Sequence, residues 1–91
     1  MRITAVRWDE WSEDHIAAHR VGTAKVESVL FDRASKQRTG REGTVEVFGR
    51  TDAGRRLLVV VVDEGRGVCF VITARDMTDS ERRLYEKRTK R

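Results

Sequence analysis

The chain has one cysteine, Cys69, so no internal disulfide can staple it, and no Cys and His spacing suits a structural zinc site. No stretch approaches the roughly 18 consecutive apolar residues of a membrane span. The opening Met1-Arg2-Ile3-Thr4 also lacks the apolar run of a secretion signal. These absences predict a soluble protein of a reducing compartment, the cytoplasm, with no membrane partner. No repeat, linker or low-complexity tract divides the 91 residues, so one domain spanning 1–91 is expected. A domain of that size buries only about 60% of the surface that its unfolded chain exposes, which leaves a thin stability margin.

Charge is abundant and unevenly placed. Residues 1–32 carry four basic and six acidic side chains, whereas residues 33–91 carry fifteen basic and nine acidic. Fifteen of the nineteen basic residues are Arg. A guanidinium presents a planar fork of donors that matches phosphate oxygens two at a time, so nucleic acid is the natural candidate ligand. A basic surface can equally serve solubility, and charge alone does not choose between the two.

Residues 3–8, Ile-Thr-Ala-Val-Arg-Trp, read as a short first strand. Ser12 is placed to cap a helix with Glu13 and Asp14 in its first turn and His19 and Arg20 in its last, stopped by Gly22. Thr23 then caps a second helix whose apolar stripe is Val26, Val29 and Leu30. From Arg33 to Gly43 the chain is polar and aperiodic, which predicts a loop with at most a short edge strand. Thr44 to Gly49 alternates, and Arg56 to Val62 is apolar enough for burial on both faces. Val68 to Ala74 completes a three-strand antiparallel meander, its turns supplied by Gly54, Gly65 and Gly67. Thr78-Asp79-Ser80-Glu81 is a capping box that opens a last helix with a basic end at Lys87, Arg88, Lys90 and Arg91. Strand, helix, helix, meander, helix is an α+β order.

Two segments resemble a known family. The first runs from Trp8-Asp9 through His15-Ile16-Ala17-Ala18-His19 to Val29-Leu30-Phe31-Asp32. The second runs from Gly49-Arg50-Thr51 through the valine run to Ala74-Arg75-Asp76-Met77-Thr78 and Glu81-Arg82-Arg83-Leu84-Tyr85. Together they are similar to BrnT-type toxins of type II toxin-antitoxin systems over nearly the whole chain. The resemblance implies a RelE-like fold and RNA endonuclease activity that inhibits translation. It also implies a BrnA-like antitoxin that neutralises the toxin, with DNA bound only indirectly through that antitoxin. The family often has Gly after the second His of the first helix, where this chain has Arg20.

RNA can be cut without a metal or other cofactor, because its own 2′-hydroxyl attacks the neighbouring phosphorus once a base takes the proton and cations stabilise the phosphoryl charge. Arg75 is the first candidate cation, since it ends a strand just before a helix start, where the helix amides add positive potential. Its alternative is a bridge from strand to helix. Arg82 and Tyr85 share a helix face, with Glu81 one turn before Tyr85. Tyr85 suits base stacking better than base catalysis, and it can equally pack the helix on the sheet; Glu81 can be absorbed by the capping box. His15 and His19 are four apart. His19 holds the motif position and can act as acid or base, while packing is expected for His15. Zinc is not expected, because Ile16 stands where a zinc protease has Glu and no third ligand is evident. Arg50 and Arg55 flank a hairpin tip and either extend a phosphate track or are solvated turn charges. Trp8 and Trp11 are core or antitoxin-contact aromatics, and Cys69 a small buried hydrophobe.

Overall fold

The computed structural model describes residues 1–89; Lys90 and Arg91 of the expected basic helix end lie outside the described residues. In chain order the elements are β1 (Ala5–Arg7), α1 (Glu10–Ala17), α2 (Thr23–Leu30), β2 (Lys36–Thr39), β3 (Thr44–Arg50), β4 (Arg56–Gly65), β5 (Val68–Asp76) and α3 (Asp79–Thr89). The strands form one sheet in the order β1-β5-β4-β3-β2. β1 runs parallel to β5 and every other pairing is antiparallel.

The apolar run of β4 has a direct cause. Successive side chains point to opposite faces of a sheet, and both faces at β4 are covered. Leu57, Val59 and Val61 join Ile16, Val26 and Val29 in the main core under α1 and α2. Leu58, with Val60 against it, belongs to a smaller cluster with Phe48, Met77 and Tyr85 beneath α3. The alternation of one face therefore fills in the gaps of the other.

The edge strand β2 makes the meander four strands instead of the expected three. Lys-Gln-Arg-Thr lacks an alternating signal because the strand is largely exposed. It is held by its ladder to β3, by Arg38 bonded to Glu46 at 2.8 Å, and by that guanidinium lying 4.9 Å over the Phe48 ring.

Three local expectations around α1 are corrected. The cap is Asp9, not Ser12: the Ser12 amide donates to Asp9 Oδ1 (2.8 Å) while the Asp9 amide donates to Ser12 Oγ (2.9 Å). The Asp9 carboxylate reaches the orphan amide, and buried Ser12 is its reciprocal partner. Gly22 does not stop α1; it is the N-cap of α2, the position expected for Thr23. The left-handed residue that ends the first helix is Arg20, at φ 60°. The Val21 amide bonds the Ile16 carbonyl (3.1 Å) and the Arg20 amide that of Ala17 (2.9 Å), the two bonds of a Schellman ending. Buried Ile16 and Val21 supply its apolar contact. Arg20 thus adopts the conformation that glycine would take without steric cost. Arg20→Gly should raise stability by about 1 kcal/mol, or roughly 4–8 °C in thermal melting by circular dichroism; an unchanged or lower melting temperature would show that the turn is unstrained.

The last correction positions the candidate site. β5 extends to Asp76, beyond the expected end at Ala74, and pairs Arg75 with Leu58 and Asp76 with Leu57. Arg75 therefore points to the α3 face and Asp76 to the face of α1 and α2.

Candidate active site at the end of the sheet

The tip of the β3–β4 hairpin, the end of β5 and the first turn of α3 meet around a pocket of about 270 Å³ lined by Gly54, Arg55, Arg56, Asp76, Met77 and Arg82. The hairpin loop is rigid: Thr51 is buried, its amide donates to the Arg55 carbonyl (2.8 Å), and its hydroxyl accepts from the Arg55 amide (3.1 Å). From this base the Arg55 guanidinium reaches Asp76 through Nε (2.7 Å) and Nη2 (3.2 Å). It also donates to the backbone carbonyls of Arg20 (2.8 Å) and His19 (3.2 Å). The fork bond from Arg55 holds the Asp76 carboxyl below its ordinary range, and the charge of His19 lowers it further. His19 is exposed in the turn after α1, next to this carboxylate.

Arg82, exposed on α3, has no side-chain partner among the described residues. Arg56 pairs with Glu86 of α3, and Arg50 is exposed at the end of β3 as its cross-strand neighbour. Arg75 lies on the other side of the strand end. Its two terminal nitrogens bond both oxygens of Glu81 (2.8 and 3.0 Å), and it also donates to the Asp76 carbonyl (3.0 Å). Glu81 closes the capping box by accepting from the Thr78 amide (2.9 Å).

The Arg75 fork, with the Thr78 amide assisting, brings the Glu81 carboxyl down to about 2. A depressed carboxyl stabilises the fold fully above its unfolded value near 4.5 and loses that contribution as pH falls through about 2. Melting temperature measured from pH 6 to pH 2 should therefore fall more steeply for the native chain than for Glu81→Gln. Parallel curves would mean that the pair adds nothing.

The sequence expectations thus divide. Arg55 and Arg82 line one pocket with Asp76, and His19 lies near that carboxylate, whereas Arg75 and Glu81 form a strand-to-helix bridge. Tyr85 is 7% exposed, packed with Phe48, Leu58 and Met77, so its ring has no free face for a base. Burial raises its pKa and keeps the phenol neutral. His15 goes elsewhere: its exposed ring lies 4.3 Å from that of Trp11, which stacks on Phe70 at 6.0 Å. Trp8 packs on the main core and donates to Glu27 at 2.8 Å. Cys69 is fully buried, and burial pushes its thiol up to about 11, which makes it a poor nucleophile. Asp76 is the residue that sequence reasoning passed over, although it stands beside Arg75 in the most specific motif. Among the described residues no three of His, Cys, Asp and Glu group to hold a metal ion. No helix among them is long and apolar enough to cross a membrane.

A parallel N-terminal strand, two helices on one face, an antiparallel meander and a closing helix on the other face define an α+β fold of the BrnT type, as the sequence resemblance implied. The chain is similar to the crystal structure of the Brucella abortus ribonuclease toxin BrnT, with a TM-score of 0.66, 20% identity, and coverage of 82% of this chain and 97% of that one. No protein-family profile matches the chain. No curated protein matches it either.

Proposed function

We propose that this chain, acting as one domain, is the toxin of a type II toxin-antitoxin pair and an RNA endonuclease of the cytoplasm that stops translation by cutting message. The observation that carries the reading is the pocket at the sheet end, where Arg82, with no side-chain partner among the described residues, shares the lining with the Arg55 and Asp76 pair, and exposed His19 lies near Asp76. In this mechanism His19 takes the proton of the RNA 2′-hydroxyl and its oxygen attacks the adjacent phosphorus. The bond to the 5′-oxygen breaks, and the proton is delivered to that leaving oxygen, which leaves a 2′,3′-cyclic phosphate. Arg82 stabilises the charge that develops on the phosphoryl oxygens, and Arg50 extends the cationic track along the hairpin. Arg75 and Glu81 brace α3 on β5. A BrnA-like antitoxin would cover the pocket with an acidic or amphipathic segment, in a tight, salt-sensitive complex.

No step in this reaction requires a metal. Purified protein should cleave single-stranded RNA in EDTA and leave cyclic phosphate ends, read by gel and mass spectrometry. Activity that vanishes in EDTA and returns with zinc or magnesium would replace the acid-base mechanism with a metal-assisted one. A second reading, a nucleic-acid or protein-binding module without catalysis, draws on the internal engagement of Arg55 and Arg75 by carboxylates. RNA binding without any cleavage would favour it.

A further inference from the structure

We propose that Arg55 and Asp76 are positioning residues for His19 and not ligands of the substrate. One guanidinium, anchored on the carboxylate at the end of β5, holds the turn after α1 so that the imidazole stands near Asp76, which lines the pocket. The inference rests on the nuclease reading of that pocket.

An Arg side chain has five N–H donors. The bonds from Nε and Nη2 to Asp76, from Nη1 to the Arg20 carbonyl and from Nη2 to the His19 carbonyl engage four of them. Too little is left for a bidentate grip on phosphate. The carbonyls that Arg55 bonds follow the last helical residues, where backbone acceptors have no partner further along the helix, and a cation there also suits the helix dipole. Arg55 is thus a cap supplied from a hairpin 35 residues further along the chain.

The turn needs such a cap. Arg20 sits at φ 60°, a conformation that costs a non-glycine residue about 1 kcal/mol or more, and His19 is its immediate neighbour. Bonds from the rigid hairpin loop oppose that cost and fix the backbone from which the imidazole projects. Asp76 has a second task. Its negative charge also attracts the His19 side chain, which in turn lowers the pKa of the Asp76 carboxyl. The alternation along β5 makes this possible, since it sends Asp76 to the His19 side of the sheet and Arg75 to the other.

The test uses the full chain and two readouts. The chain has two histidines, so the His19 NMR signals are assigned by their loss in His19→Asn. In Asp76→Asn the guanidinium loses its anchor, so the His19 resonances should shift or broaden, and kcat should fall on the order of tenfold with KM for RNA within about twofold. In Arg55→Ala the His19 resonances should shift or broaden and kcat should fall on the order of tenfold to a hundredfold, again with little change in KM. Arg55→Lys should restore only part of each effect, because an ammonium cannot reproduce the fork. A large rise in KM, with His19 signals unmoved in both variants, would make Arg55 a phosphate ligand and overturn the proposal. If Arg55→Ala fails to fold, Asp76→Asn decides alone. A native chain that cleaves no RNA would remove the nuclease reading, whereas the His19 signals of the two variants would still show whether the clamp positions it.

Discussion

His19→Asn lowers RNA cleavage by on the order of a hundredfold to ten-thousandfold while the melting temperature stays within a few degrees of the native value. The size follows from what a positioned acid or base contributes to proton transfer in the transition state. The unchanged stability follows from exposure: the side chain lies outside both clusters of buried residues. His15→Asn is the matched control, since that ring rests on Trp11 and, unlike His19, is not among the groups that act on the Asp76 carboxylate. Initial rates on a labelled oligonucleotide, with melts on the same preparations, give both quantities. If His19→Asn keeps at least a third of native activity, the proton must be handled elsewhere, and His19 is only part of the turn.

Leu57→Ala produces the largest loss of stability, about 2–5 kcal/mol. The side chain is fully buried, and its cross-strand partners are Gly49 on one side and Asp76 on the other. Gly49 cannot yield to refill the space, because it has no side chain and its own approach to Val29 and Ser35 is already close. A Cβ added there would meet Val29 Cγ1 at 2.8 Å. A chain of this length has about 5–14 kcal/mol of total stability, so the loss is a large share of it. Urea denaturation should show a lower midpoint at constant slope. A loss below about 1 kcal/mol would mean that the sheet collapses into the gap.

Much of the fold was legible. β4 announced its two covered faces through an unbroken apolar run, and the capping box at Thr78 and Glu81 placed the start of α3. The failures have local physical causes. β2 carries no periodic signal because an exposed edge strand has no face to bury. The end of α1 was misread because Gly22 looked like the stop, while the residue that turns left-handed is an Arg braced by a distant side chain. The candidate site was legible as residue types but not as partnerships. Arg75 was selected for its place at the strand end, yet which carboxylate would engage it depended on α3 lying over that face. Asp76 went unnoticed for the same reason: its role requires Arg55 and the end of α1, twenty-one and fifty-nine residues away in sequence.

The open edges of the sheet bear on how copies of the chain meet. A long, flat, apolar edge strand exposes a row of unpaired amides and carbonyls that can recruit the same strand of another molecule, and so seed aggregates. Here one edge is β1, three residues long, and the other is β2, four residues long and carrying Lys36 and Arg38, charges of the kind that blunt an edge. Arg38 is further drawn back over the sheet by Glu46 and Phe48. The polar, aperiodic sequence that allowed at most a short edge strand here therefore also discourages the chain from polymerising through that edge.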